Sequence, residues 1–330
     1  MIRRTMLGLL VAAMVGPAMA QGTGPVPGRM YRVGFSQIVD HPALNATRQG
    51  FLDGLKEAGF VEGKNLTFMY QNAQGDVANA RTITEKFIAD KVDLIAPCTT
   101  PNVQAAIRLT RGTSVPVAFG CVTNPVEGGI LTSTDKPTGS NVTGIYGTPP
   151  VQKMWDLVVQ LRPKTKIVGT IYNPSESNSI ALNAANKAEA VKRGFTWAEV
   201  QVTSSADVMM AARALTERVD CLLMPQDNTV ASAFDAISIA AREAKVALFS
   251  YDTSTVERGA IAAYAQDQRQ AGLDWAREVA VPVLLGTAPG TIVPVQYKAY
   301  SLLLNRAAAS AAGVVLPEAL QKAAVKVWEQ

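Results

Sequence analysis

Several polar side chains in this sequence follow strand-like segments, where they could bind a small charged molecule. Asp227 and Asn228 come shortly after the apolar segment 221–224, and Asp252 follows the segment 246–250. A carboxylate at the end of a buried strand can pair with a cationic group of a ligand that has left water. It can equally cap the helix that follows, and for Asp227 both interpretations stay open.

Threonines occupy the matching place in the first half of the chain. Thr99 and Thr100 follow the segment 94–97 and open a helix-like segment, while Cys121 and Thr123 end the next strand. Free N–H groups and the helix dipole favour an anion at a helix start, so this edge is suited to the carboxylate of a ligand. Helix capping by the threonines is the alternative, and the two roles are compatible.

Further candidates for the same site lie near predicted strand ends and crossovers. The aromatic candidates would enclose an apolar part of the ligand, with core packing as the alternative for each. They are Phe35, Tyr146, Tyr172, Tyr251 and Tyr264, and the polar candidates are Ser36, His41, Asn173 and Gln266. For His41, the only histidine, a cap or loop contact is the alternative, because Pro42 follows it where a helix begins.

The motifs of common enzyme classes are missing from the sequence. A dinucleotide-binding turn needs glycines after the first strand, and residues 36–40 contain none. We find no Gly-x-Ser-x-Gly elbow and no Cys/His cluster at zinc spacing. We therefore predict a binding protein, keep an exported enzyme only as a lesser alternative, and expect no cofactor and no bound metal.

Charge and length narrow the choice of partners. The 330 residues carry a formal charge of +4, without a basic run or a mixed basic and aromatic patch of the kind that binds phosphate backbones. We expect no nucleic-acid partner. The chain is long enough for two ordinary domains with full cores.

The N-terminus resembles a secretory signal peptide. Arg3 and Arg4 precede an apolar run over residues 6–15, and the small-residue region ends at Ala20. We predict cleavage after Ala20, export of the mature protein, and a flexible lead-in over residues 21–29, which are rich in glycine and proline.

Strand-like and helix-like segments alternate along the chain, which is typical of a parallel sheet covered on both faces. A stretch beginning at Asp93 is nearly repeated from Asp220, as expected of duplicated lobes. We predict an α/β protein with two similar doubly wound parallel-sheet lobes and a ligand cleft between them. The first lobe would comprise residues 30–148 and 266–287, and the second residues 149–265 and 288–330, with crossovers near 148, 252–266 and 286–293.

Seven short motifs occur in the order seen in one family of binding proteins. They are His41-Pro42-Ala43-Leu44, Thr100-Pro101, Val122-Thr123-Asn124-Pro125, Asn141-Val142-Thr143-Gly144, Tyr172-Asn173-Pro174, the run 227–232 and the run 256–260. In these motifs the chain resembles the ABC-transporter substrate-binding proteins of the tryptophan/tyrosine-binding type, a branch of the type I periplasmic binding proteins.

This resemblance implies a monomer in the periplasm that closes two lobes on a small solute and delivers it to an ABC permease in the inner membrane. The solute would be an amino acid or related small carboxylate with an apolar or aromatic side chain. Because binding proteins of this type place an acidic or polar ligand contact there, Asp252 is the first choice for its ammonium group and Asp227 the second. An exported sensor that presents the solute to a membrane signalling partner is the alternative.

Three cysteines complete the candidates. Cys98 and Cys121 end sequential parallel strands, which are close enough for a disulfide if the side chains converge. Because strand side chains alternate, we favour two buried thiols. Cys221 lies inside an apolar strand, and we expect an unpaired core residue there.

Overall fold

Two separate sheets organise the chain in the computed structural model, which describes residues 24–329. The predicted signal peptide, residues 1–20, lies outside the described residues, as do residues 21–23 of the lead-in. Within residues 24–329, no helix combines the length and the apolar character needed to cross a membrane.

The first sheet contains six strands in the order β11-β5-β4-β3-β1-β2, and all neighbouring pairs are parallel. Its elements are β1 (Tyr31–Gln37), α1 (Pro42–Glu57), β2 (Leu66–Asn72), α2 (Val77–Ala89), β3 (Leu94–Cys98), α3 (Thr100–Thr110), β4 (Val117–Val122) and β5 (Val142–Tyr146). Strand β3 is buried along its whole length, as expected for a central strand covered by helices on both faces.

The second sheet contains seven strands in the order β13-β12-β10-β9-β8-β6-β7, of which β12 runs antiparallel to β10. Its elements are α4 (Val151–Leu161), β6 (Ile167–Tyr172), α5 (Ser177–Lys192), β7 (Thr196–Gln201), α6 (Val208–Thr216), β8 (Cys221–Met224), α7 (Asn228–Ser232), α8 (Phe234–Glu243), β9 (Ala247–Ser250) and β10 (Ala262–Ala265). The chain continues through α9 (Gln268–Trp275), α10 (Val281–Leu284), β11 (Val295–Gln296), β12 (Ser301–Asn305), α11 (Arg306–Ala311), α12 (Glu318–Ala323) and β13 (Lys326–Trp328). The predicted fold class is confirmed.

The sequence repeat marks equivalent positions in the two lobes. Asp93 accepts a hydrogen bond from the backbone N–H of Arg32 at 2.8 Å, at the start of β1. Asp220 accepts bonds from the N–H groups of Lys166 and Ile167 at 2.7 and 2.8 Å, at the start of β6. Each aspartate therefore ties its own strand to the neighbouring one at the amino end of the sheet.

Helix α9 crosses back from the second lobe and packs on α1 of the first. The backbones touch, since a Cβ atom on Gly50 would lie 1.9 Å from the carbonyl oxygen of Arg269, and one on Gly272 would lie 2.0 Å from that of Thr47. The hydroxyl of Thr47 also lies 3.3 Å from Oε1 of Gln268. This contact fixes the crossover at 266–267 beside the first half of α1.

The third crossover differs from the prediction. Strand β11 pairs with β5, and the carbonyl oxygen of Ile292 accepts a hydrogen bond from the hydroxyl of Thr143 at 3.1 Å. Gly139 N–H also donates to the carbonyl oxygen of Gly290. Residues 288–296 therefore pack on the first sheet, and their assignment to the second lobe is wrong.

Cys98 and Cys121 form a disulfide, so the prediction of two free thiols is wrong. The pairing of β4 with β5 is irregular between Phe119 and Val122, and Cys121 has a left-handed backbone with φ of 55°. This local departure from strand geometry cancels the alternation on which the prediction depended, and the two side chains converge. Cys221 is an unpaired, buried thiol as predicted.

Candidate functional site

A cavity lies between the two lobes, where the carboxyl ends of both sheets face each other. The first lobe and the crossover at 266–267 contribute His41, Ala43, Leu44, Cys121, Val122, Thr123, Gly147, Gln266 and Gln268. The second lobe contributes Asn178, Met224, Pro225, Gln226, Asp227, Asn228, Val230, Ala231, Phe234, Ser250, Asp252 and Thr255.

Asp227 is held by its own lobe. One carboxylate oxygen accepts the N–H of Val230 at 2.9 Å and so caps α7. The other accepts the N–H of Asn173 at 2.6 Å and the hydroxyl of Ser179 at 2.5 Å. Burial, with a smaller contribution from the nearby Glu176 carboxylate, raises the pKa of Asp227 to about 7. Asp227 therefore caps α7, and its carboxylate already accepts three hydrogen bonds.

A second buried carboxylate, Glu176, occupies the remaining amides of the same helix start. Oε2 accepts the backbone N–H of Asn228 at 3.2 Å, and Oε1 accepts the N–H of Thr229 at 3.1 Å. The side chains of Asn228 and Thr229 also donate to it. The start of α7 therefore has no free amide for an anionic ligand.

Asp252 is placed differently. Oδ1 accepts the N–H of Ser254 at 2.8 Å and caps the short turn 253–255. Oδ2 has no hydrogen-bond partner within residues 24–329, and the residue lines the cavity with 8% of its surface exposed. Of the two aspartates, Asp252 therefore has an unengaged oxygen that faces the cavity.

Three other polar side chains bring unsatisfied atoms to the cavity. Within the described residues, Nδ1 of His41, Oδ1 of Asn178 and Oε1 of Gln266 are buried without a hydrogen-bond partner. The Asn178 amide nitrogen donates to the carbonyl oxygen of Gln226, so the assigned orientation leaves its oxygen free. Burial lowers the pKa of His41, which keeps its imidazole neutral at pH 7. Buried polar atoms normally have partners, so these three identify a place for a polar ligand.

The charge and shape of the lining also point to a class of ligand. Within residues 24–329, the lining contains two carboxylates and neither lysine nor arginine. Leu44 of the first lobe and Met224, Val230 and Phe234 of the second form an apolar part of the wall. Such a cavity can accept a cationic group beside an apolar side chain.

The lobes are in contact across the cleft. The side-chain amide of Gln104, on α3, donates to the hydroxyl of Ser177 at 3.0 Å, at the start of α5. The same amide donates to the carbonyl oxygen of Gly128 at 2.7 Å, within the first lobe. The hydrogen bond to Ser177 joins the two walls, so the arrangement is a closed one.

The structure brings half of the predicted site residues to the cavity. Those that line it are His41, Cys121, Thr123, Asp227, Asn228, Asp252 and Gln266. Those that do not are Phe35, Ser36, Thr99, Thr100, Tyr146, Tyr172 and Asn173. Asn173 instead supports Asp227 through its backbone N–H, and the buried Thr99 donates its own N–H to the carbonyl oxygen of Gly120.

The predicted aromatic enclosure is not formed by the predicted residues. Phe35 packs in the first core against Phe51 and Trp275, with ring centroids 5.4 Å from each. Tyr251 is buried in the second core, where its hydroxyl donates to Asn186 at 2.7 Å. Tyr146, Tyr172 and Tyr264 are also absent from the lining, and its aromatic side chain is Phe234, apart from His41.

Phe234, Met224 and Asn178 were missed by the sequence interpretation. A continuous helix is predicted over 230–244, but it is divided at Ala233 between α7 and α8, and Phe234 opens the second piece. Met224 ends β8, at the edge of the sheet that faces the cavity. The position of Met224 at a strand end could have identified it, because the repeated polar segment already pointed to the carboxyl edge of the sheet.

Comparisons with known proteins agree with this geometry. Residues 32–328 match the family model described as ABC transporter substrate binding protein. A tyrosine-binding protein from Clostridioides difficile (strain R20291) is 32% identical over 315 residues, which cover 92% of this chain and 90% of that protein.

Two solved structures are similar over nearly the whole chain. The ABC domain in complex with L-Trp from Streptococcus pneumonia has a TM-score of 0.85 at 28% identity, covering 90% of this chain and 99% of that one. The ligand-free, open structure of a substrate binding protein with adhesive properties from Clostridium difficile has a TM-score of 0.67 at 32% identity, covering 91% of this chain and 100% of that one. The lower score with the open structure agrees with the contact between the lobes.

Proposed function

Because the chain belongs to the family of ABC transporter substrate binding proteins, we propose that it binds an α-amino acid with an apolar or aromatic side chain for import. The observation that carries this proposal is the unengaged oxygen of Asp252 in a cavity without a cationic side chain. A buried carboxylate of this kind calls for a cationic partner, and the ammonium group of an amino acid supplies one.

The apolar wall supports the choice of side chain. Leu44, Met224 and Phe234 offer contact surface to an aliphatic or aromatic group, and the sulfur of Met224 is suited to an aromatic ring. A tyrosine-binding protein and a structure in complex with L-Trp are among the relatives, which supports tyrosine and tryptophan as the first ligands to try.

The remaining parts of the proposal concern place and partner. The signal-like N-terminus supports export to the periplasm, and family membership supports delivery of the solute to an ABC permease by a monomeric binding protein. The absence of enzyme motifs in the sequence supports binding without chemistry.

A thermal-shift screen of the twenty amino acids, aromatic acids, purines and sugars tests the ligand class. A ligand present at about 100 times its dissociation constant adds about 2.7 kcal/mol to the free energy of unfolding. We expect the largest shifts with tryptophan, tyrosine or another apolar amino acid. Shifts confined to sugars or purines would overturn the assignment.

A further inference from the structure

The first turn of α1 presents free backbone amides to the cavity. Pro42 occupies its first position and has no N–H, and the side chain of His41 makes no capping bond. The N–H groups of Ala43 and Leu44 have no hydrogen-bond partner within residues 24–329, and both residues line the cavity. The first turn contains no acidic residue. A 16-residue helix thus directs its positive end at the cleft, with no acidic side chain in its first turn.

Two other helix starts and one turn that line the cavity carry their own carboxylates. The start of α7 is occupied by Asp227 and Glu176, as described above. Asp267 caps α9 by accepting the N–H of Gln270 at 2.9 Å. The turn 253–255 is capped by Asp252. An anionic ligand would meet negative charge at each of these three places.

Helix α3, the start that the sequence interpretation favoured for a carboxylate, does not reach the cavity. Neither Thr99 nor Thr100 is among the lining residues, and each is buried with 2% of its surface exposed. The start of α1, unlike those of α3, α7 and α9, therefore offers unoccupied donors to the cavity.

Acceptors lie elsewhere in the same cavity. The oxygen of Asn178, a residue 6% exposed, is unpartnered, as is the side-chain oxygen of Gln266. With the free oxygen of Asp252 they provide three acceptors, the number that an ammonium group can use. The cavity therefore contains backbone donors on α1 and a separate set of acceptors, an arrangement that matches a zwitterion. The unpartnered acceptors indicate a polar ligand independently of the helix dipole.

We infer that the α-carboxylate of the ligand binds the N–H groups of Ala43 and Leu44, while its ammonium group binds Asp252, Asn178 and Gln266. The inference rests on the proposed function, because it assumes an amino-acid ligand. Asp40, which precedes the helix, does not compete for this place. Its carboxylate accepts hydrogen bonds from the side chains of Gln37, Tyr70 and Asn72.

The test combines two variants with two ligands. Pro42 is exposed and does not line the cavity, so its replacement leaves the cavity wall intact. Pro42→Glu adds a carboxylate to the first turn of α1, and Pro42→Gln is the matched neutral control. A carboxylate at a helix start favours the helix itself, so the Glu variant should melt no lower than the Gln variant. Both are titrated calorimetrically with L-tryptophan and with L-tryptophanamide, which keeps the ammonium group but lacks the carboxylate charge, at low ionic strength.

We expect Pro42→Glu to bind L-tryptophan about two- to fivefold more weakly than Pro42→Gln, and to bind the amide no more weakly. The wild-type protein should bind the amide at least about tenfold more weakly than L-tryptophan, since charge-assisted bonds are lost. If the Glu variant weakens neither ligand, or both equally, the carboxylate lies elsewhere, and this assignment fails while the proposed function stands. If the wild-type protein binds none of the twenty amino acids, both fail.

Discussion

Replacement of Asp252 by asparagine should weaken ligand binding while leaving the stability of the protein nearly unchanged. Asparagine caps a helical turn about as well as aspartate, so the bond from the N–H of Ser254 should survive. The side chain loses its negative charge, however. The other carboxylate of the lining, Asp227, already accepts three hydrogen bonds and cannot replace it. Loss of one partner of a buried charge pair costs about 2–5 kcal/mol, which corresponds to about a thirtyfold to several thousandfold loss of affinity. We expect that loss, with little change in melting temperature.

The matched control is Asp227→Asn, at the equivalent strand end. In either orientation, the asparagine amide nitrogen faces an existing donor, either Val230 N–H or Asn173 N–H. This variant should therefore lose about 1–3 kcal/mol of stability, the usual cost of a buried donor left without a partner, and keep most of its affinity.

Calorimetric titration with L-tryptophan and L-tyrosine, beside thermal melting of both variants, measures the two effects together. We expect opposite patterns, with affinity lost in Asp252→Asn and stability lost in Asp227→Asn. Normal affinity in Asp252→Asn, with weak binding in Asp227→Asn, would refute the assignment of the ammonium partner. Normal affinity in both would mean that the ligand has no ammonium group at this site.

Three further predictions follow from other contacts. The double substitution Cys98→Ser and Cys121→Ser should lower the free energy of unfolding by about 3 kcal/mol in urea denaturation, because the bridge closes a loop with a sequence separation of 23; equal stability of the wild-type and double-variant proteins would contradict this. Burial raises the pKa of Asp227 from 3.8 to about 7, so the protonated carboxyl stabilises the folded protein at low pH, and this contribution is lost as the pH rises through 7. Asp227→Asn should therefore be more destabilising at pH 5 than at pH 8, by about 2 kcal/mol. An equal loss of stability at both pH values would exclude the raised pKa. Gln104→Ala removes the hydrogen bond to Ser177 between the lobes and should accelerate ligand release about two- to tenfold in stopped-flow measurements, with no change expected if the lobes close without this bond.

Much of the fold could be predicted because the hydrophobic pattern of the sequence indicates alternating strands and helices. The repeated segments from Asp93 and Asp220 further indicated two equivalent lobes. The third crossover could not be located in this way. Strand β11 has two residues and follows a Pro/Gly turn, so its pairing with β5 depends on tertiary contact rather than on local pattern.

Part of the lining of the candidate site could be predicted, for a physical reason. Ends of parallel strands share one edge of a sheet, so the polar residues there were found. Which of them is free for a ligand depends on partners distant in sequence, such as Asn173 and Ser179 for Asp227. The disulfide depends on the left-handed backbone of Cys121, which sequence spacing does not reveal.

A crystal structure of the wild-type protein grown with L-tryptophan would show directly which groups bind the ligand. We expect the ligand in the cavity between the lobes, with its ammonium group within hydrogen-bonding distance of Asp252 and its carboxylate at the N–H groups of Ala43 and Leu44. A ligand bound with its ammonium group away from Asp252, or outside this cavity, would contradict this expectation.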